Sequence, residues 1–338
     1  MKSKIEGVIY GMAIGDAMGM PSELWGRKKV REFFKGYITE FLDGPQENEI
    51  AKNYKKGQFT DDTAQALVIL DSLFENNFIP DKKIIAKNLL NWAEQNNAFK
   101  KNILGPTSKE SLKMIKKNLN PIEITNKALS NGSAMRIAPI GLLFKANQHK
   151  DLVDYVFKVS QVTHTSDITI SGASIIAMCV NSALYKSDFN EILEDLYVVD
   201  KLALDLGSET YSPSMTKRIK LAIDIANRFK GKDIEFINEL YDIIGAGVNI
   251  SESVPTAIAI AYYAKDVNKA AFLAANLAGD TDTIGAMACA ICGAYTGVEK
   301  IDNNFVKIIK ESNEINLNFY IEKIERYWKQ KDISKWKL

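Results

Sequence analysis

Two short acidic segments, far apart in the sequence, carry the residue types best suited to chemistry. The first is residues 60–63 (TDDT) and the second is residues 279–283 (GDTDT). An apolar stretch with helical spacing follows each segment, so each predicts a helix start. Asp and Thr at a helix start can cap backbone N–H groups. Capping explains one acidic residue at each place, but not a second carboxylate with flanking hydroxyls repeated at both.

The charge context of the two segments favours a metal. Neither Lys nor Arg occurs in residues 57–71 or 270–299, so the carboxylates have no local counter-ion in the sequence. A buried carboxylate without a partner is either neutralised or binds a cation, because desolvating its charge is costly. Oxygen ligands from Asp and Thr suit Mg²⁺, Mn²⁺ or Ca²⁺, and only two histidines and three cysteines are present to build a zinc site. The sequence therefore favours binding of a hard divalent metal over capping alone.

The charge balance of the chain argues against nucleic acid and membranes as binding partners. The 338 residues include 43 Lys and Arg against 42 Asp and Glu, a net charge of +1, so no global field attracts nucleic acid or anionic lipid. We identify neither a signal peptide nor an uncharged apolar run of about 18 residues. Neither nucleic-acid nor membrane binding is predicted, a cytoplasmic location is expected, and a monomer is favoured. The cysteines at 179, 289 and 292 lie in apolar stretches and are interpreted as buried thiols.

Helices are the predicted elements that position these residues. Gly and Pro total 28 residues, β-branched alternation is scarce, and no linker of low complexity divides the chain. The expected fold is therefore a single all-α domain over residues 1–338. Helix-period stretches that bear on the site cover residues 4–19, 62–76, 133–146, 168–186, 254–265 and 282–296, and Pro255 is expected at a helix start.

The first of these helices has a glycine at every fourth position. Gly7, Gly11, Gly15 and Gly19 lie on one face, although each interior glycine costs about 1 kcal/mol relative to alanine. Something must therefore approach that face closely. We expect another helix against Gly7 and Gly11, and direct ligand contact near Asp16 and Gly19.

Five blocks of the sequence resemble the ADP-ribosylglycohydrolases, a family that includes the dinitrogenase reductase-activating glycohydrolases. The resemblance covers nearly the whole chain and implies an orthogonal bundle of many helices around a central dinuclear magnesium or manganese site. The blocks are 11–23 (GMAIGDAMGMPSE), 57–66 (GQFTDDTAQA), 131–141 (NGSAMRIAPIG), 162–167 (VTHTSD) and 276–285 (NLAGDTDTIG).

The resemblance implies a ligand set for two divalent cations. One ion would be held by the hydroxyl of Thr60 and the two carboxylates that follow it, and the other by Asp280 and Thr283. Asp282 would bridge both ions. All of these positions are intact, which favours an enzyme over an inactive descendant. The implied ligands are Thr60, Asp61, Asp62, Asp280, Asp282 and Thr283.

The resemblance also implies roles around the metals. Glu23 matches an acidic residue that covers the catalytic cleft, and Asp16 would hold the metal ligands through hydrogen bonds. Small residues at 131–133 would contact ADP-ribose, and His164 would face its diphosphate and ribose. The implied substrate-binding residues are Asn131, Gly132, Ser133 and His164.

The predicted reaction is hydrolysis of a glycosidic bond between ADP-ribose and an acceptor, through a transition state that resembles an oxocarbenium ion. Asp61, Asp62 and Glu23 are the candidates to carry the proton, and the sequence leaves the choice among them open. Two alternatives also stay open: a ribohydrolase of nucleosides or other small ribosides, and a non-catalytic ADP-ribose-binding module. Ala64 and Gln65 stand where relatives often have acidic or methionine residues, so the acceptor is not identified.

Overall fold

The computed structural model describes residues 1–101 and 103–334, and α-helices joined by turns dominate this part of the chain. The described residues contain no β-strand, only three isolated bridges, so the predicted all-α class is confirmed. Four 3₁₀-helices add Met20–Ser22, Asn131–Ser133, Ala138–Leu143 and Val298–Lys300. The α-helices are α1 (Lys2–Gly19), α2 (Arg27–Phe34), α3 (Asp61–Glu75), α4 (Lys82–Gln95), α5 (Pro106–Lys116), α6 (Ile122–Thr125), α7 (His149–Ser160), α8 (Asp167–Tyr185), α9 (Phe189–Leu204), α10 (Met215–Arg228), α11 (Asp233–Ile243), α12 (Ile250–Ala264), α13 (Val267–Ala275), α14 (Thr281–Thr296), α15 (Asn303–Ser312) and α16 (Leu317–Ser334).

Helices α1 and α14 run antiparallel in backbone contact at the centre of the molecule. A Cβ atom on Gly7 would lie 2.3 Å from the carbonyl oxygen of Gly293, and a Cβ atom on Gly15 would lie 2.0 Å from that of Gly285. No side chain fits at such separations, which explains why α1 tolerates interior glycines. The predicted packing of another helix against this face is confirmed.

The same face reaches the second acidic segment. A Cβ atom on Gly19 would lie 2.3 Å from the carbonyl oxygen of Thr281, whose hydroxyl donates to the Gly19 carbonyl at 2.8 Å. The expectation of a ligand at Gly19 is therefore wrong, because the backbone of Thr281 fills that space. This contact fixes Asp280 and Asp282, on either side of Thr281, against the end of α1.

Gly279 anchors the second acidic segment on its other side. Its φ of +82° lies in the left-handed region, and a Cβ atom there would meet the Ala246 carbonyl oxygen at 2.2 Å. The Gly279 carbonyl accepts a hydrogen bond from Leu24 N at 2.7 Å, and its N–H donates to Trp25 O at 2.9 Å. The segment that carries Glu23 is therefore tied directly to the segment that carries Asp280.

Two helix predictions that involve prolines are wrong. Residues 133–146 form 3₁₀ turns rather than one α-helix, because Pro139 lacks the N–H that the helical ladder needs. Pro255 does not start a helix. It lies inside α12, which begins earlier at Ile250, where the Asn249 side chain accepts from Ser251 N as the cap.

Helix α8 (Asp167–Tyr185) qualifies by length and composition as a membrane-spanning segment, contrary to the expectation that no such run exists. Its 18-residue apolar window is 94% buried inside the protein. A core helix passes the same compositional test, and α8 contributes buried side chains to the core.

Candidate active site

Asp16 on α1 caps the start of α3 from outside that helix. Its carboxylate is fully buried and accepts hydrogen bonds from Thr60 N at 2.7 Å, Thr63 N at 3.0 Å and the Thr63 hydroxyl at 2.6 Å. Thr60, the N-cap residue of α3, makes no capping bond with its own side chain. Asp61 and Asp62 are therefore not needed to cap α3, and Asp16 has the supporting role predicted for it.

Capping also fails to account for Asp280. Asp280 stands at the N-cap position of α14 but makes no side-chain capping bond. Its Oδ2 instead accepts a hydrogen bond from Asn131 Nδ2 at 2.5 Å. Asp282 Oδ1 accepts a hydrogen bond from Thr283 N at 2.8 Å. The alternative that these acidic residues serve only as helix caps is contradicted at both segments.

The two helix starts meet. The Thr60 hydroxyl lies 3.2 Å from Asp62 Oδ2 and 3.3 Å from Asp282 Oδ2, although Thr60 and Asp282 are 222 residues apart. Carboxylate oxygens of Asp16, Asp62 and Asp282 lie within 4.8 Å of one another, and so do those of Glu23, Asp280 and Asp282. Among the described residues Asp282 belongs to both groups, the position expected of a residue shared by two ions.

Burial and mutual repulsion raise the pKa values of the whole cluster. Burial raises the pKa of Asp61 to about 7, with the charge of Asp16 as the next cause, and raises the pKa of Asp280 to about 6. The pKa values of Asp62 and Asp282 are also well above the ordinary range, first through burial and then through neighbouring carboxylates. Full ionisation of the cluster is therefore unfavourable unless a cation compensates the charge.

No lysine or arginine in residues 1–101 and 103–334 forms an ion pair with this cluster. Asp62 Oδ1 is buried and has no hydrogen-bond partner among the residues that the structure describes. An ionised oxygen left in that state costs several kcal/mol, on the order of the penalty for a buried unpaired charge. The observation points to a cation as the missing partner.

The donor set fits a hard divalent cation. The candidate ligand atoms are carboxylate and hydroxyl oxygens, and the two hydroxyls, on Thr60 and Thr283, belong to residues that are only 3% and 4% exposed. Oxygen-only sites suit Mg²⁺, Mn²⁺ and Ca²⁺ rather than zinc. The predicted ligands are Thr60, Asp61, Asp62, Asp280, Asp282 and Thr283. Among the described residues, the two carboxylate groups contain Asp62, Asp280 and Asp282, together with Asp16 and Glu23, whereas Asp61 belongs to neither group.

Glu23 lies at the rim of the cluster, just after the 3₁₀-helix Met20–Ser22. Its carboxylate is partly buried, lines the cleft and receives no hydrogen bond from the part of the chain that the structure describes. Burial, and then the charges of Asp282 and Asp280, raise its pKa well above the ordinary range. The following residue, Leu24, has a φ of +54°, a strained left-handed conformation that aims this segment over the site.

The wall opposite the cluster begins at Asn131 and Gly132. The Asn131 amide donates to both Asp280 and the Ser253 hydroxyl, at 2.5 and 3.1 Å. A Cβ atom on Gly132 would lie 2.9 Å from Cε1 of His164, so glycine is required for the wall to close on the histidine ring. Both residues line the cleft, as expected for contacts to a substrate.

Ser133 and His164 lie behind that wall. The Ser133 hydroxyl donates to Thr169 O at 3.1 Å. His164 is fully buried, with Nδ1 2.8 Å from the Thr163 hydroxyl and Nε2 3.1 Å from the Ser130 hydroxyl. The Ser133 hydroxyl and both ring nitrogens of His164 already have hydrogen-bond partners within the protein. Contact of these two residues with substrate therefore stays a prediction.

The cluster and the wall enclose a cleft of about 170 Å³. Carboxylates form one side, and small hydroxyl residues, including Ser108 and Ser130, form the other. Apolar side chains complete the lining. These are Leu24, Ile50, Ile103, Leu104, Met135 and Val248.

Sequence reasoning missed two residues, Gln65 and Arg136, that hold the predicted metal ligand Asp61 in place. Gln65 Nε2 donates to Asp61 Oδ2 at 2.6 Å, and Arg136 Nη1 donates to Gln65 Oε1 at 2.5 Å. Gln65 was noted only as a departure from relatives. No local pattern could pair residues that lie 71 positions apart.

Comparison with known proteins settles the family. A model of the ADP-ribosylglycohydrolase family matches residues 1–331. This chain belongs to the ADP-ribosylglycohydrolase family. Membership identifies the protein as a hydrolase of glycosidic bonds, which confirms the enzyme class predicted from the five sequence blocks.

Individual relatives are similar over most of their length. The uncharacterized protein YegU of Escherichia coli (strain K12) is 40% identical over 330 residues, covering 97% of this ADP-ribosylglycohydrolase and 98% of YegU. ADP-ribosylhydrolase ARH3 of Homo sapiens is 25% identical, covering 90% and 88% of the two chains. A solved structure described as an ADP-ribosylglycohydrolase-related protein complex superposes with a TM-score of 0.69 at 19% identity, covering 96% and 98%. That likeness confirms the fold.

Proposed function

We propose that the protein hydrolyses the glycosidic bond between ADP-ribose and an acceptor, with two divalent cations, Mg²⁺ or Mn²⁺, in the acidic cluster. The observation that carries the proposal is the buried, unpartnered Oδ1 of Asp62 within a group of carboxylates that have no ion-pair partner among the described residues. The ARH3 proteins, named as ADP-ribosylhydrolases, supply the substrate class.

The first helix start would hold one ion and the second helix start the other. Thr60, Asp61 and Asp62 belong to α3 and its cap, whereas Asp280 and Thr283 belong to the start of α14. Asp282 would serve both ions, a role supported by its place in both carboxylate groups.

When bound, the ions would orient the ribose hydroxyls and make an attacking water more acidic. The protein's own groups would then bind and position the sugar and handle the proton. Asn131 holds Asp280 in place, and Gly132 lets this wall of the cleft close on the His164 ring. The apolar rim limits access of bulk water to the anomeric carbon, which protects an oxocarbenium-like transition state from side reactions.

We assign the proton transfer to Glu23 rather than to Asp61 or Asp62. Gln65 holds Asp61 Oδ2, and Thr60 donates to Asp62 Oδ2, so these carboxylates are fixed as ligands. Glu23 lines the cleft without a hydrogen-bond donor in the described part of the chain and is free to exchange a proton with the substrate.

The decisive experiment is an assay of the purified protein with Mg²⁺ or Mn²⁺ against three substrates: ADP-ribosylated arginine, ADP-ribosylated serine and free nucleosides. We expect release of ADP-ribose from at least one of the first two, and loss of release after chelation. Release of base from nucleosides alone would instead establish a ribohydrolase. ADP-ribose binding without turnover of any substrate would establish a binding module and contradict the proposal.

A further inference from the structure

Arg136 is buried next to the site but pairs with no carboxylate in the described part of the chain. The side chain is 2% exposed, and burial lowers its pKa to about 10, so it stays protonated at neutral pH. Nη1 donates to Gln65 Oε1 and Nη2 donates to the Thr163 hydroxyl, each at 2.5 Å. A guanidinium group only donates, so it fixes the direction of every hydrogen bond that continues from it.

The first arm of this network runs to Asp61. The Gln65 side chain is fully buried and has one acceptor end and one donor end. Because Arg136 occupies the Oε1 end, the Nε2 end must face Asp61, and it donates to Oδ2 at 2.6 Å. The orientation of the Asp61 carboxylate is therefore set by Arg136 through one carboxamide.

The second arm runs to the opposite wall. The Thr163 oxygen accepts from Arg136, and the one described acceptor for its own proton is His164 Nδ1 at 2.8 Å. His164, whose pKa burial lowers well below its ordinary value, then carries its single proton on Nε2 and donates to the Ser130 hydroxyl at 3.1 Å. Ser130 in turn donates to the Thr107 hydroxyl at 3.1 Å.

We infer that Arg136 is the origin of a directed hydrogen-bond network that orients both sides of the cleft: Asp61 through Gln65, and Ser130 through Thr163 and His164. Arg136, Gln65 and Thr163 are thus positioning residues for the reaction. The inference rests on the proposed function, since it takes Asp61 as a metal ligand and the Ser130 wall as the surface that binds ADP-ribose.

The intervening glutamine has a chemical consequence. A direct Arg136–Asp61 ion pair would neutralise the carboxylate and compete with a cation for its oxygens. Gln65 supplies a fixed donor with no charge of its own, so Asp61 keeps its negative charge for the metal. Gln65 is therefore the residue that couples a buried guanidinium to a proposed metal ligand without neutralising it.

The two arms can be separated by isosteric variants and a direct measurement of Mn²⁺ affinity by electron paramagnetic resonance. Gln65→Met removes the donor to Asp61, and we expect Mn²⁺ to bind about tenfold more weakly, as for loss of other groups that orient metal ligands. Thr163→Val leaves the Asp61 arm intact and should change Mn²⁺ affinity by less than about twofold.

Affinity for ADP-ribose, measured by calorimetry at saturating Mn²⁺, tests the second arm. Thr163→Val should weaken ADP-ribose binding about fivefold, the effect of losing one net hydrogen bond. The matched control is Thr165→Val. Thr165 is 6% exposed and donates to Thr125 and Asn126 instead of His164, so both affinities should be unchanged.

The histidine tautomer gives a readout that a purely structural role would not produce. The chain has two histidines, so nitrogen-15 nuclear magnetic resonance resolves His164 once His149→Gln has assigned the other signal. We expect neutral His164 protonated on Nε2 in the unaltered protein, and a shift toward the Nδ1-protonated form in Thr163→Val. Protonation on Nδ1 in the unaltered protein would overturn the directed network.

The affinity measurements separate failure of the positioning roles from failure of the proposed function. Unchanged Mn²⁺ affinity in Gln65→Met, or equal effects of Thr163→Val and Thr165→Val on ADP-ribose, would refute the positioning roles. Failure of the unaltered protein to bind Mn²⁺ or ADP-ribose would refute the proposed function itself and the inference with it. Failure of the proposed function is seen in the unaltered protein, whereas failure of the positioning roles is seen only in the variants, so the two are distinguishable.

Discussion

Asp282 shows at the scale of single residues how much one carboxylate can contribute to this site. Among the described residues it is the member common to both groups of clustered carboxylates. Its Oδ1 is committed to Thr283 N, and its Oδ2 faces the Thr60 hydroxyl at 3.3 Å. An uncharged amide in its place would keep the shape of the side chain but lose the charge that the two proposed ions would share.

We therefore expect Asp282→Asn to reduce hydrolysis at least about a hundredfold, since charge stabilisation by a bound metal supplies several kcal/mol. The variant should stay folded, because removal of one charge relieves repulsion in the cluster. Asp302→Asn is the matched control, since Asp302 caps α15 by accepting from Asn304 N and asparagine caps equally well. Equal activity of Asp282→Asn and the unaltered protein would contradict the assignment.

The acidic residues of the site could be predicted from sequence because their signal is local. Two helix starts without nearby cations, each with two carboxylates, are visible in short segments. The supporting residues could not be predicted in this way. Arg136 contacts Gln65 across 71 positions, and Asp16 caps α3 across 44, so each pairing appears only when the helices are packed. The burial of His164 behind Gly132 is likewise a property of packing.

At the scale of elements, the contact between α1 and α14 determines whether the two acidic segments meet. The helices touch through backbone atoms from Gly7 to Gly19, and the last contact is Thr281, inside the second segment. An added side chain along this face would push the helices apart and displace Asp280 and Asp282 from the start of α3.

Gly15→Ala tests this dependence. Its Cβ atom would meet the Gly285 carbonyl oxygen at 2.0 Å, so we expect a loss of about 3 kcal/mol or more in the free energy of unfolding, at the upper end for overpacked cores. Thermal unfolding measures the change. The comparison variant is Gly36→Ala, where the nearest atom that a Cβ would meet lies at 3.9 Å. Similar melting temperatures for the two variants would rule out the backbone contact.

Helix periodicity predicted most elements of the fold but not those governed by proline or by short segments. α3 and α14 start within one residue of the predicted positions. The helix expected over residues 133–146 became 3₁₀ turns at Pro139, and α12 extends through Pro255. The short helix α2 was not predicted, because its apolar positions are few and Val30 is its one buried residue. In these segments, tertiary contacts rather than local periodicity determine where a helix forms.

At the scale of the whole molecule, the clustered carboxylates make stability depend on pH in a definite direction. In the folded, metal-free protein the pKa values of Asp61 and Asp280 are raised to about 7 and about 6, whereas an unfolded Asp titrates near 3.9. Between these values the folded state holds more protons than the unfolded state. The free energy of unfolding contributed by these groups therefore falls as pH rises from about 4 to about 7.

We expect the melting temperature of the metal-free protein to fall by about 5 °C or more between pH 5 and pH 8. Mn²⁺ or Mg²⁺ should raise it more at pH 8 than at pH 5, because a cation then replaces the lost protons. Asp61→Asn, which removes one of the shifted groups, should show a shallower fall. A melting temperature that rises with pH in the metal-free protein would contradict this account of the cluster.

The contact between Thr60 and Asp282 also affects the order in which the site is completed during protein synthesis. Their 222-residue separation means that the ribosome finishes one half of the cleft about 11 to 44 s before it begins the other, at ordinary elongation rates. During that interval the glycine face of α1 has nothing to pack against. A nascent chain that ends before α14 therefore lacks both the helix that packs against α1 and half of the acidic cluster.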